Sequence, residues 1–451
     1  MKTLAQIAAE LQGYDPQALP ADDVLRFLSR LVTPVQASAD VPLFESLGRV
    51  LAADVISPFD VPPHDNSAMD GYAFDGQQLW QSALTLNVIG TAFAGKAWQG
   101  TVGAGQCVKI MTGAIMPTGL DTVVPQEMVT VDGQSITIAP MLLKPGDNRR
   151  HRGEDLTQGK AALLKGELLT PARLGLAASL GLKTVRCYRQ LRVAYFSTGD
   201  EILSLGEPPR EGAVYDSNRY TVFGLLTRLG CKVIDMGVVR DNPAALEAAF
   251  TQAAAQADAI ITSGGVSVGE ADHTKAMMKK LGDVVFWRIA MRPGRPMAVG
   301  RIDKPILEAV SGRKLAYSPI NTVLRCYENS SDSKACILFG LPGNPVAVMV
   351  TFLTFVRPAL QQMMGTTAAP PIFLRACSQE AMRKKPGRTE YQRGWVSTAA
   401  DGTLQVQTTG NQGSGVLSSM AQANGLIVLH HAQGNVAPGD GVDVLMFDGI
   451  I

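Results

Sequence analysis

Apolar and polar residues follow different rhythms along the chain. Residues 20–32, PADDVLRFLSRLV, place Leu25, Phe27, Leu28 and Leu31 at helical spacing and predict a short amphipathic helix. From about 58 to 153, Gly and Pro punctuate short apolar runs (LTLNVIGTAF, QCVKIMTG, SITIAP), and Asp132-Gly133 is a turn signal between strands. A small β-rich domain is predicted there. PARLGLAASLG reads as a helix that starts with Pro171 in its first turn and stops at Gly181.

Residues 191–364 alternate between strand and helix patterns. LRVAYFS, CKVIDMGVV and ADAIITSGG read as strands. Between them, SNRYTVFGLLTRLG predicts a helix capped by Ser217 and ended by Gly230. DNPAALEAAFTQAAAQ predicts another, with Asp241 at its N-cap and Pro243 in the first turn. Short joints between such elements are the pattern of a parallel, doubly wound α/β sheet. Residues 371–451 return to alternation in LRACSQ, YQRGWVSTAADGTLQVQTT and LIVLHH, with Asp401-Gly402 at a hairpin turn, and predict a small all-β domain.

Composition narrows the class. The 451 residues suggest about three domains at roughly 150 residues each. With 46% hydrophobic and 18% charged residues, the chain can build large cores, so general disorder is excluded. Its net charge of +1 argues against coating nucleic acid or an anionic membrane. No apolar run approaches the ~18–20 residues of a membrane span, and the N-terminal stretch lacks a signal-peptide core. Six cysteines without a CxxC pair predict reduced, mostly buried thiols, and the five histidines show no metalloprotease spacing. The expectation is a soluble, cytoplasmic, multidomain protein.

In parallel α/β sheets ligands bind beyond the carboxyl ends of the strands. Those ends carry Asp200 and Glu201, then Asp241, then Thr262-Ser263-Gly264-Gly265-Val266-Ser267 running to Asp272. The glycines let a phosphate approach the backbone closely. Asp200, Glu201, Asp241 and Asp272 on one edge would repel one another without a cation, and a divalent metal with oxygen ligands answers that. Arg288, Arg292 and Arg295 flank a proline-stiffened turn whose guanidinium forks suit tetrahedral oxyanions. Pro342 and Pro345 stiffen a second turn at the start of the helix VAVMVTFLTFVRPAL. Two polar stretches, DNSAMDGYA at 65–73 and NRRHRGED at 148–155, lie outside this domain, and periodicity does not bring them to its strand ends.

Taken in order, NSAMDGYA, MTGA, RRHRGEDL, STGDE, YDSN, TSGGVSVGEADHT, MRPGRP and GLPGNP resemble the molybdopterin molybdotransferase family, the MoeA type, which is also similar to the E domain of gephyrin. The resemblance runs from about residue 22 to 445. It implies an elongated homodimer. Residues 1–57 and 154–190 would form the dimerising region, 58–153 an inserted lobe, 191–364 the molybdopterin-binding domain and 365–451 a C-terminal β-barrel. The site would lie between the α/β domain of one subunit and the lobe of its partner, where Asp70, Thr112, Arg150 and Asp155 reach it.

The implied reaction inserts molybdate into adenylylated molybdopterin and releases AMP. Glu201, Asp241 and Asp272 match carboxylates that hold Mg²⁺ and phosphate, while Asp70 and Asp155 position the attacking or leaving group. Thr262, Ser263, Gly264, Gly265 and Ser267 would cradle the terminal phosphate of the pterin. Arg292, Arg295, Arg393 and Ser414 match positions that bind the oxyanion, and Arg288, Pro342 and Pro345 complete the substrate-binding set. A molybdopterin adenylyltransferase and molybdoenzyme acceptors are the implied partners. Two other readings share part of the pattern: a molybdopterin adenylyltransferase, and a non-catalytic carrier or scaffold.

This chain departs from the family in three places. Arg292-Pro293-Gly294-Arg295 stands where Lys-Pro-Gly-Lys is common, and His273 where Tyr is usual. About 30 extra residues, within 303–335, separate GRPMAVGRI from CILFGLPGNP. They are expected to hang at the far tip of a hairpin, away from the chemistry.

Overall fold

A computed structural model describes residues 2–79, 81–266, 273–304, 335–367 and 370–447. The chain packs as two compact units. One comprises Met1–Ala52, Gly166–Thr170 and Arg186–Ile451, and the other Ala53–Lys165 and Pro171–Val185.

The larger unit begins with helices α1 (Leu4–Ala9) and α2 (Ala21–Leu31). A capping box between Thr3 and Gln6 starts α1. On α2 the buried stripe is Val24, Phe27, Leu28 and Leu31, with Leu25 only half-buried, so the apolar face is rotated slightly from the predicted one. Phe27 meets Trp287 edge to face at 4.9 Å, and Arg301 donates to the carbonyls of Lys2 and Leu31. These contacts fasten the N-terminal segment to the main sheet.

The smaller unit holds a six-stranded sheet: β1 (Gly71–Phe74), β2 (Leu84–Ala92), β3 (Gln106–Ile110), β4 (Thr122–Pro125), β5 (Val129–Asp132) and β6 (Ser135–Ile138), in the order β4-β1-β3-β2-β6-β5. Gly133, at φ +56°, makes the expected β5–β6 turn. Strand alternation sends Ala73, Val108 and Val123 to one core and Tyr72, Cys107 and Val124 to another, so both faces are covered. Helix α3 (Pro171–Ser179) follows, with Gly181 at φ +71° just beyond it.

The main sheet consists of β7 (Arg192–Thr198), β8 (Lys232–Val239), β9 (Ala259–Ser263), β10 (Gly282–Arg288), β11 (Pro296–Asp303) and β12 (Ala335–Leu341). Its order is β8-β7-β9-β12-β11-β10; the first four are parallel and the last two antiparallel. Helices α4 (Ser217–Arg228), α5 (Pro243–Gln256) and α6 (His273–Leu281) flank it. Val193 and Tyr195 face one core with α4, whereas Ala194 and Phe196 face the other with α5. Burial on both faces is what a parallel sheet requires.

Both predicted caps shift by one residue. Asp216 caps α4 by accepting from the Arg219 N–H, and Asn242 caps α5 by accepting from Ala245. Asp241 is thereby left at the strand end, where its carboxylate accepts from the Thr274 hydroxyl at 3.3 Å.

A continuous helix, α7, then runs from Pro345 to Met363 through a π-helical turn at Phe352–Val356. This corrects the reading that no apolar run nears span length: among the described residues α7 is long and apolar enough to cross a membrane, and it is mostly buried in the core. Strands β13 (Leu374–Ser378), β14 (Thr389–Thr398), β15 (Leu404–Thr408), β16 (Gly425–Leu429) and β17 (Gly441–Met446) close a barrel in the order β14-β15-β13-β17-β16, with β16 returning to β14. Closure removes free edges.

β11 and β12 pair from Ala298↔Gly340 to Asp303↔Ala335. The extra segment leaves and re-enters at the latter end, remote from Pro296 and Leu341; residues 305–334 and their predicted hairpin tip lie outside the described residues.

Candidate functional site

Register brings the strand ends together. Thr198 of β7 lies opposite Val239 of β8, Ser197 opposite Ser263 of β9, and Ser263 opposite Leu341 of β12. The loops that follow therefore open on one edge, around a cleft of about 840 Å³, within the usual range for small-molecule sites. Gly264 and Gly265, at φ +89° and +63°, turn the chain sharply there. A Cβ on Gly264 would lie 2.6 Å from the Thr198 carbonyl oxygen.

Beneath the loop is a buried polar network. The Tyr195 hydroxyl lies 2.7 Å from Ser263 Oγ and 2.9 Å from Ser197 Oγ, and Ser197 donates to Asp216 Oδ1 at 2.9 Å. Burial, opposed by the hydrogen bonds to Ser197 and Ser263, pushes the Tyr195 phenol well above its usual range. The phenol stays neutral and can donate. Thr262 is fully buried, its hydroxyl without a partner among the described residues.

The opposite wall is basic. Met291 and Arg292 pair in parallel with Thr389 and Glu390 at the start of β14, which ties the MRPGRP loop to the barrel. Arg292, Arg295 and Arg388 all line the cleft. Arg388 is held from behind: its Nε donates to Oε1 of Glu390, a buried carboxylate, at 2.8 Å. Ser414 also lines the cleft, where its hydroxyl accepts from Asn344 Nδ2 and its carbonyl from the Val346 N–H at the start of α7.

Of the residues expected from sequence, the structure brings Glu201, Ser263, Gly264, Gly265, Arg292, Arg295, Pro342 and Ser414 to the cleft. The Glu201 carboxylate makes no hydrogen bond or ion pair with a described residue, and Asp241 stands one strand away, its N–H donating to Asp200 Oδ1. Pro345 opens α7 beside the cleft turn. Arg288 ends β10, where its backbone pins residues 16 and 19. Ser267 and Asp272 lie outside the described residues, among which no cluster of three metal-ligating side chains occurs.

Arg393 has a different setting. Its side chain is fully buried, and it donates to Ser419 Oγ and to the carbonyls of Asn411, Gln412 and Gly413. Burial, with the charge of Arg292, lowers its pKa to about 10. Arg393 thus braces the loop that carries Ser414. Sequence reasoning missed Arg388, Asp216 and Asn218 as cleft residues. Strand parity held the signal for the first: Arg393 falls on the face of buried Tyr391, while Arg388 sits just before the strand begins.

In the smaller unit Asp70, Thr112, Arg150 and Asp155 are all exposed. Asp70 Oδ1 accepts from the Thr112 N–H at 2.7 Å and its hydroxyl at 2.8 Å, and the N–H bond above all holds the carboxyl below its usual pKa. Arg150 pairs with Asn66 in a two-residue ladder, next to the Arg149–Asp65 ion pair. Asp155 donates its N–H to the Val61 carbonyl at 3.0 Å.

Comparison with known proteins covers both units. Residues 19–181 match the MoeA N-terminal region (domains I and II), 194–362 a probable molybdopterin binding domain, and 375–447 the MoeA C-terminal region (domain IV). A molybdopterin molybdenumtransferase of Haemophilus influenzae is 41% identical over 428 residues, 94% of this chain and 98% of its own. One from a Nostoc species is 34% identical over 433 residues, covering 94% and 92%. The crystal structure of a molybdopterin biosynthesis MoeA protein from Pyrococcus horikoshii OT3 aligns at a TM-score of 0.74 and 25% identity, over 95% of this chain and all of that one.

Proposed function

The chain belongs to the MoeA family of molybdopterin molybdenumtransferases, and from that membership we propose that it inserts molybdate into adenylylated molybdopterin and releases AMP in molybdenum cofactor biosynthesis. The cleft supports this reading most directly, because it sets a glycine loop suited to phosphate against arginines suited to a tetrahedral oxyanion.

Arg292, Arg295 and Arg388 hold molybdate, with Ser414 adding a hydroxyl. Planar forks at 292 and 295, in place of the lysines common in the family, grip two oxygens at once. Gly264 and Gly265, with Ser263 and the neighbouring Thr262 and Ser267, receive the terminal phosphate of the pterin. Glu201, Asp241 and Asp272 offer hard oxygen donors. The Glu201 carboxylate is unpaired among the described residues and that of Asp241 takes one hydroxyl, a donor set that suits Mg²⁺. When bound, Mg²⁺ offsets the charge of the pyrophosphate and favours its cleavage.

We place Asp70, Thr112, Arg150 and Asp155 at the same chemistry from the partner subunit of a homodimer. The exposure of all four side chains supports this role. The enzyme would work in the cytoplasm, taking substrate from a molybdopterin adenylyltransferase and serving molybdoenzyme acceptors.

The test is release of AMP, followed by chromatography, from adenylylated molybdopterin with Mg²⁺ and with or without molybdate. Wild-type protein is expected to release AMP only with molybdate, and Glu201→Gln to lose that activity. Nucleotide that stays bound and uncleaved in wild type would instead make the chain a carrier.

A further inference from the structure

The YDSN segment has no role in the reading above, yet two of its residues line the cleft. Asp216 is 4% exposed and Asn218 is 9% exposed. Asp216 Oδ1 accepts from the Ser197 hydroxyl at 2.9 Å and the Arg219 N–H at 3.1 Å, while its Oδ2 is buried without a partner. Asn218 donates Nδ2 to the Gly343 carbonyl at 2.7 Å, and its Oδ1 is likewise buried and unpartnered. Folded proteins rarely leave one such acceptor unpaired, and here two lie within three residues on the wall of one cleft.

Their chemistry excludes an anion. The two unpartnered atoms are a carboxyl oxygen and an amide oxygen, acceptors that phosphate and molybdate, being acceptors themselves, do not satisfy. Arg292, Arg295 and Arg388 serve those groups from elsewhere in the cleft. The cleft thus carries both anion-binding groups and unpaired acceptors.

We propose that Asp216 and Asn218 form a subsite for a neutral ligand edge that carries paired hydrogen-bond donors. The proposal rests on the molybdotransferase reading. In adenylylated molybdopterin such donors occur on the pterin, in the N–H groups of its aminopyrimidinone edge, and on the AMP, in the ribose diol and the adenine amino group.

Asp216→Asn is the informative substitution. Asn caps helices as well as Asp and keeps an acceptor for Ser197 and Arg219. It puts an NH₂ where Oδ2 stood, donor against donor. Asp216→Ser removes the second oxygen and leaves one short hydroxyl, which can still cap the helix by accepting from the Arg219 N–H, and serves alone if the Asn variant does not fold. Each protein is titrated calorimetrically with AMP, with a phosphate-free pterin (6-hydroxymethylpterin) and with molybdate, after its melting temperature is checked.

We expect Asp216→Asn to weaken one organic probe by about tenfold or more, Asp216→Ser to weaken the same probe less, and molybdate binding to be unchanged. Loss confined to AMP assigns the subsite to the nucleoside, and loss confined to the pterin assigns it to the ring. Organic probes bound within about twofold of wild type by both variants would overturn the proposal. So would equal loss of all three ligands, or a wild type that binds neither organic probe. Failure of the molybdotransferase reading shows separately, as absence of molybdate-dependent AMP release in wild type.

Discussion

The α/β sheet and the sheet of the smaller unit are both covered on both faces, yet they support their polar side chains differently. At the edge of the α/β sheet, Glu201, Arg292 and Arg295 on the cleft walls are exposed, but the groups beneath them are buried and braced: Tyr195, Ser197, Ser263 and Asp216 form one network, and Arg393 ties down the loop of Ser414. Around the smaller sheet Asp70, Thr112, Arg150 and Asp155 are exposed, and Asp70 and Thr112 are steadied mainly by each other. Buried, mutually bonded groups form a site before any ligand arrives, because the fold has already ordered them. Exposed groups keep their mobility until another surface meets them. The difference suits a division of labour in which one unit holds the substrates and the other adds to a site completed from outside.

The sharpest way to break this comparison lies within the barrel. Arg393→Ala removes a fully buried side chain together with its bonds to the Ser419 hydroxyl and three loop carbonyls, and should cost about 3–5 kcal/mol in urea unfolding. Arg388→Ala should unfold much closer to wild type, yet lower molybdate-dependent turnover by about 100-fold, as loss of one oxyanion donor does. Equal unfolding midpoints for the two variants would erase the distinction between brace and ligand.

Gly264→Ala comes next. The residue sits at φ +89° against the Thr198 carbonyl, so the substitution should cost about 1–3 kcal/mol and reduce turnover together with stability. Asp70→Asn should abolish turnover while barely moving the unfolding midpoint. The sign of its small effect follows from the depressed pKa, which the Thr112 N–H chiefly causes. The stabilisation is full above the unfolded-state carboxylate pKa and is lost as pH falls through the lower folded value. Any deficit of the variant should therefore appear at neutral pH and vanish in acid.

The smallest effects fall far from the cleft. Replacing 305–334 by a short turn should leave turnover within about twofold of wild type, because β11 and β12 still pair as far as Asp303 and Ala335. A large fall in turnover with unchanged folding would contradict that placement. Burial pushes the Cys107 and Cys231 thiols up to about 12, so neither should react with a disulfide reagent in the folded protein at pH 8.

Much of the α/β domain was legible because its strands and helices differ in period and each has start and stop residues. Leu191 to Ser197 read as a strand at once. The helix caps were harder, since Asp216-Ser217 and Asp241-Asn242 each offer two good capping residues side by side, and only the backbone decides between them. The glycine loop and the basic turn were visible as motifs. The hydroxyl network was not, because it depends on the register that sets Ser197 beside Ser263. Nor did the motif YQRG reveal that its arginine faces inward with Tyr391; alternation along β14 carries that information only once the start of the strand is known.

Subunit mixing tests the proposed division most directly. Glu201→Gln disables the cleft and Asp70→Asn disables the lobe, so each homodimer alone should be inactive. In a site shared across the dimer, every mixed dimer regains one intact site, and random mixing should restore about a quarter of wild-type AMP release. If each lobe serves the cleft of its own chain, no intact site can form. A mixture as inactive as its parents, with subunit exchange confirmed, would contradict the account.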